Sequence, residues 1–264
     1  MNKYEYLEQN NINDFILWIE PFLDNSFSHS YKFKKSKTQW NCNSIYNAYE
    51  KYTWSNKSKT FEESHKELYD IKTKLQNALT TKNEKNTIEA CIEILKWGGL
   101  ENKNDEYIKN NPSIVDELIY IKNKINLNNY DIDKQTIIDI KINSGFSKIY
   151  SILLDEYIIY DSRVSVAICL LVRNFCEKNN LQNIPNELLF AFSKGRVEEG
   201  NRNPNNLNHV FPNLYPNNYL ENNIKASWLL SGILEKTISK FTKLPKNIQL
   251  RALEAAFFMI GYEI

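Results

Sequence analysis

Apolar residues recur along most of this chain at steps of three and four, the spacing of one helix face. Asn13 to Leu23 carries Phe15, Ile16, Trp18, Ile19, Phe22 and Leu23 in that rhythm. Phe61 to Leu79 sets Leu68, Ile71 and Leu75 on one face of a charged segment. Thr87 to Trp97 does the same with Ile88, Cys91, Ile92 and Leu95, and Gly98-Gly99 stops it. Pro112 opens a further helix through Ile114, Leu118, Ile121 and Ile125. Phe146 to Leu154 and Ser162 to Cys176 follow, the second apolar enough to predict a buried helix. Two helices close the chain, about Leu220 to Phe241 and about Lys246 to Gly261.

Three stretches break the rhythm. Ser44 to Trp54 reads as a helix preceded by a lysine-rich loop. Asp131 to Ile142, with Ile138 and Ile140, fits a short helix and an extended piece equally well. Gly195 to Asn218, including Arg196, Arg202, Asn203, Pro204 and Pro216, has no periodicity, and so long a loop is more often functional than a plain connector. Gly and Pro number seven each, too few for many short strands. The expected architecture is all-α, with a helical N-terminal region over 1–95 and a helical domain over 96–264.

Composition narrows the chemistry mainly by exclusion. A chain of 264 residues, 42% hydrophobic and 25% charged, builds one large domain or two lobes around a sizeable core. The formal net charge of +1 gives no global argument for nucleic acid or membrane. Locally the balance differs: between Tyr31 and Thr60 stand seven lysines, among them Lys32, Lys34, Lys35 and Lys37, against the single acid Glu50. Tyr31, Phe33, Trp40, Tyr46, Tyr49, Tyr52 and Trp54 are interleaved with them, a pattern that suits a phosphate backbone and stacked bases, or a solvated loop beside an aromatic core that serves a protein partner. The four cysteines and three histidines show no metal-ligand spacing, so no metal and no cofactor is expected. Met1 to Glu5 lacks the apolar start of a signal peptide, and no run of 18 apolar residues occurs; a cytoplasmic protein with reduced thiols and no membrane partner is expected.

One constellation suggests catalysis. Asn143-Ser144-Gly145 is a tight entry to the helix containing Lys148, and Asp161 directly precedes the next helix. A lysine near a helix N-terminus feels the positive end of the dipole, and desolvation lowers its pKa toward the ~7–8 useful for a nucleophilic amine. An amine and a carboxylate so placed are the groups needed to open a glycosidic bond through an imine. Unpaired N–H groups at Ser144-Gly145 would seat a phosphate. The same residues also read as an ordinary N-cap and a surface lysine.

The string SGFSKIYSILLDEYIIYDSRV resembles the helix-hairpin-helix and following loop of the DNA glycosylase superfamily, and more specifically the bacterial 8-oxoguanine glycosylase-like proteins. Asn203-Pro204, Ala226-Ser227-Trp228-Leu229-Leu230 and the run Arg251 to Tyr262 look familial as well, so the resemblance spans roughly Trp97 to Ile264. Phe146 stands where the standard hairpin has its second glycine, and the step from Lys148 to Asp161 is shorter than in well-studied members. The resemblance implies that Lys148 attacks the sugar C1′ while Asp161 stabilises the sugar cation. It also implies duplex DNA carrying a damaged or modified purine as substrate, with or without strand nicking. Ser144, Gly145, Ser147, Arg163, Arg202 and Asn203 are then candidate DNA contacts, and Trp97 and Trp228 candidate walls of a base pocket. Core packing is the alternative for both tryptophans, and ion pairing or loop capping for Arg163, Arg202 and Asn203. The alternative reading of the whole chain is a non-catalytic DNA- or protein-binding helical module, such as one in an anti-phage defence system.

Overall fold

The computed structural model describes residues 1–54, 59–100, 103–132, 140–195 and 200–264. Among them are eleven α-helices and one two-stranded sheet, so the chain is mostly helical, as the periodicity predicts. In order these are α1 (Lys3–Leu7), α2 (Asn10–Asp24), β1 (His29–Lys32), β2 (Gln39–Cys42), α3 (Ile45–Glu50), α4 (Phe61–Thr80) and α5 (Glu84–Trp97). There follow α6 (Lys103–Asn110), α7 (Ile114–Lys124), α8 (Ser144–Leu153), α9 (Ser162–Lys178), α10 (Pro216–Lys236) and α11 (Lys246–Ile260). No described helix is long and apolar enough to cross a membrane.

Local chemistry sets the helix starts. Thr60 and Glu63 form a capping box on α4, Asn83 caps α5, Asn143 caps α8 and Asp161 caps α9. Of the lysine-rich segment, Lys32 ends a strand, while Lys34, Lys35 and Lys37 lie on the loop that follows it, as expected. Residues 29–42 form an antiparallel hairpin in which Tyr31 pairs with Trp40 and His29 with Cys42. Alternation explains it: Tyr31, Trp40 and Cys42 turn inward while Lys32, Gln39 and Asn41 turn out. The stretch 131–142, which fits a short helix or an extended piece, lies largely outside the described residues, and Arg196 lies outside them too. Residues 200–215 contain no regular element, as expected of that loop.

One apolar core runs from Tyr6 to Tyr262 and continues across residue 95. The short α3 packs on α11, α4 and α5 pack on each other and against α8, and α9 lies along α11. Gly261 permits the last approach, because a Cβ there would lie 1.9 Å from the Arg163 carbonyl oxygen. The start of α9 thereby meets the C-terminal end of α11, and α4, α5, α8 and α11 line one cavity beside it.

Candidate active site

Lys148 sits one turn into α8 and is only 3% exposed. Its ammonium donates to the Ser144 carbonyl (3.2 Å) and stands 3.6 Å from Asp161 Oδ2. The other Asp161 oxygen accepts the N–H groups of Arg163 (2.9 Å) and Val164 (3.1 Å), so the carboxylate is fixed by its own helix. The sequence pair is a spatial pair. Burial pulls the Lys148 pKa below its ordinary value, against the opposing pull of Asp161 and Glu254. Burial also works against the Asp161 charge, yet the Lys148 ammonium and the two capping N–H groups outweigh it and hold its carboxyl below the usual range. A buried amine whose proton is held less tightly than usual, beside a carboxylate that keeps its charge, has the chemistry to serve as a nucleophile with an electrostatic partner.

The run leading to Asp161 is stitched into place. Ile158 N–H donates to Ser227 Oγ of α10 (3.1 Å), Ile159 N–H to Glu254 Oε2 of α11 (2.9 Å) and Tyr160 N–H to Ser147 Oγ of α8 (2.9 Å). The Tyr160 carbonyl accepts from the Tyr219 hydroxyl. Three consecutive buried N–H groups thus find partners on three different helices, which satisfies them and sets the height of Asp161.

Lys148 and Asp161 open on a cavity of about 20 Å³, also lined by Tyr52, Trp54, His65, Trp97, Arg251, Glu254 and Phe258. Trp97 donates its indole N–H to Ser64 Oγ (3.2 Å) and carries Trp54 stacked on its face at 5.2 Å and 8°. Phe258 packs on Trp54 at 5.1 Å. That space admits about one water, whereas small-molecule pockets run to ~300–1,000 Å³. Trp54 fills the place that a second planar ring would take on Trp97.

Comparison of the chain with family models, with curated proteins and with solved structures gives no match. The site therefore stands on its geometry.

The structure gathers Lys148, Asp161 and Trp97 at the cavity and disperses the other sequence candidates. Ser147 is fully buried, accepting from Tyr160 N–H and Asn223 Nδ2 (both 2.9 Å), so it positions the chain and does not meet DNA. No phosphate seat opens at Ser144-Gly145: Asn143 Oδ1 accepts the N–H groups of Gly145 (2.8 Å) and Phe146 (3.1 Å), and Gly145 is buried. Trp228 is core, fully buried with its indole N–H on the Leu127 carbonyl (2.9 Å). Arg202 is buried too, donating to the Tyr262 carbonyl (3.1 Å) and Ser162 Oγ (2.9 Å), so it locks the C-terminus to α9 and reads no base. Asn203 is exposed and accepts only a local N–H, that of Asn205, among the bonds described (3.3 Å).

Arg163 is buried with its guanidinium over Phe258 (4.3 Å) and Tyr262 (4.8 Å), not on an open surface. It links the cavity to the hairpin, since Tyr262 in turn stacks on Tyr31 (4.8 Å). Lys32, Lys34, Lys35 and Lys37 are all exposed on that hairpin. The sequence offers Trp54 only as one of the aromatics of the basic segment that could stack on bases, and Arg251 and Glu254 are not read from it as site residues. Arg251 and Glu254 had a signal: two charges three positions apart inside the apolar run of α11 require burial as a pair.

Proposed function

We propose that this protein is a DNA N-glycosylase that removes a modified purine, such as 8-oxoguanine, through an imine at Lys148. The observation that carries the reading is the buried Lys148–Asp161 pair on a cavity floored by Trp97. Neutral Lys148 Nζ attacks C1′, and the glycosidic bond breaks with its electron pair going to the base nitrogen, which takes up a proton. Nζ gives up a proton and the sugar ring opens, O4′ becoming a hydroxyl, to leave the imine. Asp161 stabilises the positive charge that develops at C1′. Loss of a C2′ proton then expels the 3′ phosphate, and water hydrolyses the imine to return the lysine. A base entering the site takes over the position of Trp54 on Trp97, exchanging one ring stack for another. The exposed lysines of the hairpin hold the duplex backbone.

The test is base release. Duplexes carrying single modified purines are incubated with the protein, and free base is measured by mass spectrometry. The reading predicts release from at least one of them, abolished in Lys148→Gln. Release that survives in this variant contradicts it.

A second reading draws on the cavity volume. A site of about 20 Å³ suits a helical module that binds DNA or protein without cutting it. Tight duplex binding with no covalent product from any lesion would favour that module.

A further inference from the structure

Four charges meet at the cavity. Lys148 and Asp161 face it from α8 and the start of α9, and Arg251 and Glu254 from α11. Arg251 Nη1 donates to both oxygens of Glu254 at 2.7 Å, and its guanidinium lies 5.6 Å from the centre of the Trp97 ring. Glu254 is only 6% exposed, and burial raises its pKa against the opposing pull of Arg251 and of the Ile159 N–H. Its Oε2 accepts the N–H of Ile159, two residues before Asp161.

Resting on the lysine reading above, we infer that Glu254 is a positioning residue of this site: it fixes the run that ends in Asp161 and supplies the second negative charge beside Lys148. The two roles come from one side chain. Without its oxygen the Ile159 N–H is buried with no acceptor, and the turn into α9 is free to move. Without its charge the cluster holds two cations against one anion, and Lys148 gives up its proton more easily. Arg251 acts in the opposite sense, because its removal takes a cation from beside Lys148 and leaves the two anions in place. Among the described residues, the other ionisable groups facing the cluster are His65 and Tyr52 on the cavity wall, Arg163 on α9 and Tyr219 on α10. His65 is held below its ordinary pKa by burial and by Arg251, and Tyr52 is raised by burial, so both are neutral around pH 7.

The test reads Lys148 directly in the full-length protein. Carbon-13 NMR of Cε-labelled lysine follows its protonation, with the signal assigned by its disappearance in Lys148→Gln. Glu254→Gln keeps an acceptor for Ile159 and removes the charge; the Lys148 midpoint should fall by about one pH unit or more. Arg251→Gln should raise it by a similar amount, and Glu254→Asp should leave it near the wild-type value. Midpoints that stay in place, or that move the same way in the Gln variants, overturn the inference. Because no DNA enters this measurement, its result is independent of whether the protein excises a base. If borohydride trapping occurs, its pH profile should move with the Lys148 midpoint in each variant; a profile that stays fixed while the midpoint moves counts against the inference.

Discussion

Gly98 lies directly against the stem of Lys148: a Cβ at position 98 would stand 2.5 Å from Lys148 Cδ and 2.9 Å from Cε. The glycine that ends α5 therefore also makes room for the amine. Gly98→Ala has an ordinary helix-end backbone (φ −76°), so strain falls on the lysine and not on the fold. The stem must swing aside and carry Nζ away from Asp161. A misplacement of about 1 Å costs on the order of a hundredfold in rate. Single-turnover trapping should slow by that order while the melting temperature moves by only a few degrees; an unchanged rate would mean that the lysine position does not matter.

Asp161→Asn separates charge from capping. Asparagine caps α9 about as well as aspartate, so the cap is kept and any change in stability reads the lost pairing with buried Lys148. In the proposed reaction the variant lacks the negative charge beside the developing sugar cation, and removing one preorganised electrostatic partner of a transition state costs ~2.7–4 kcal/mol. A rate loss of about a hundredfold or more is expected from single-turnover kinetics. A large fall in melting temperature with full activity would assign Asp161 a structural role only.

Burial of Lys148 has a signature in stability against pH. Its folded pKa lies below the unfolded value of 10.5, so between the two the unfolded chain binds the extra proton. Native stability therefore gains from this group as pH rises through its folded pKa toward 10.5. Buried tyrosines such as Tyr31 and Tyr219 have raised pKa values and oppose the trend, so the comparison with Lys148→Gln isolates the lysine. Urea titrations at successive pH values should show wild type gaining on Lys148→Gln as pH rises. A constant difference would place Lys148 in a solvated setting.

The hairpin lysines are tested through salt. Each duplex phosphate that a lysine neutralises contributes ~0.9 to the slope of log affinity against log salt. Replacing Lys32, Lys34, Lys35 and Lys37 by Gln should lower the slope by that amount for every phosphate they neutralise. Binding titrations at several salt concentrations decide it. An unaltered slope would turn this face of the hairpin toward a protein partner or solvent.

The helices were legible because each buries a face and the rhythm of three and four records it. Lys148 and Asp161 were legible as a pair because each stands at the start of an apolar helix with a short connection between them, although an ordinary N-cap and a surface lysine follow the same pattern. The hairpin was not read, although Tyr31 and Phe33 alternate with Lys32 and Lys34, because so many charges drown a short period-two signal. Arg202, Ser147 and Trp228 were misassigned for one physical reason. Their partners, Tyr262, Tyr160 and Leu127, lie between 13 and 101 positions away, so sequence shows the polar group but not what satisfies it. The cavity was hidden likewise, since α4, α5, α8 and α11 close it jointly.

The most direct measurement is borohydride trapping followed by peptide mapping. Wild-type protein is mixed with a duplex carrying one 8-oxoguanine or one aldehydic abasic site, reduced, digested and sequenced by mass spectrometry. The account predicts a covalent adduct on Lys148 and on no other lysine, absent from Lys148→Gln. An adduct on a different lysine, or no adduct from either duplex under conditions where the duplex is bound, would contradict it.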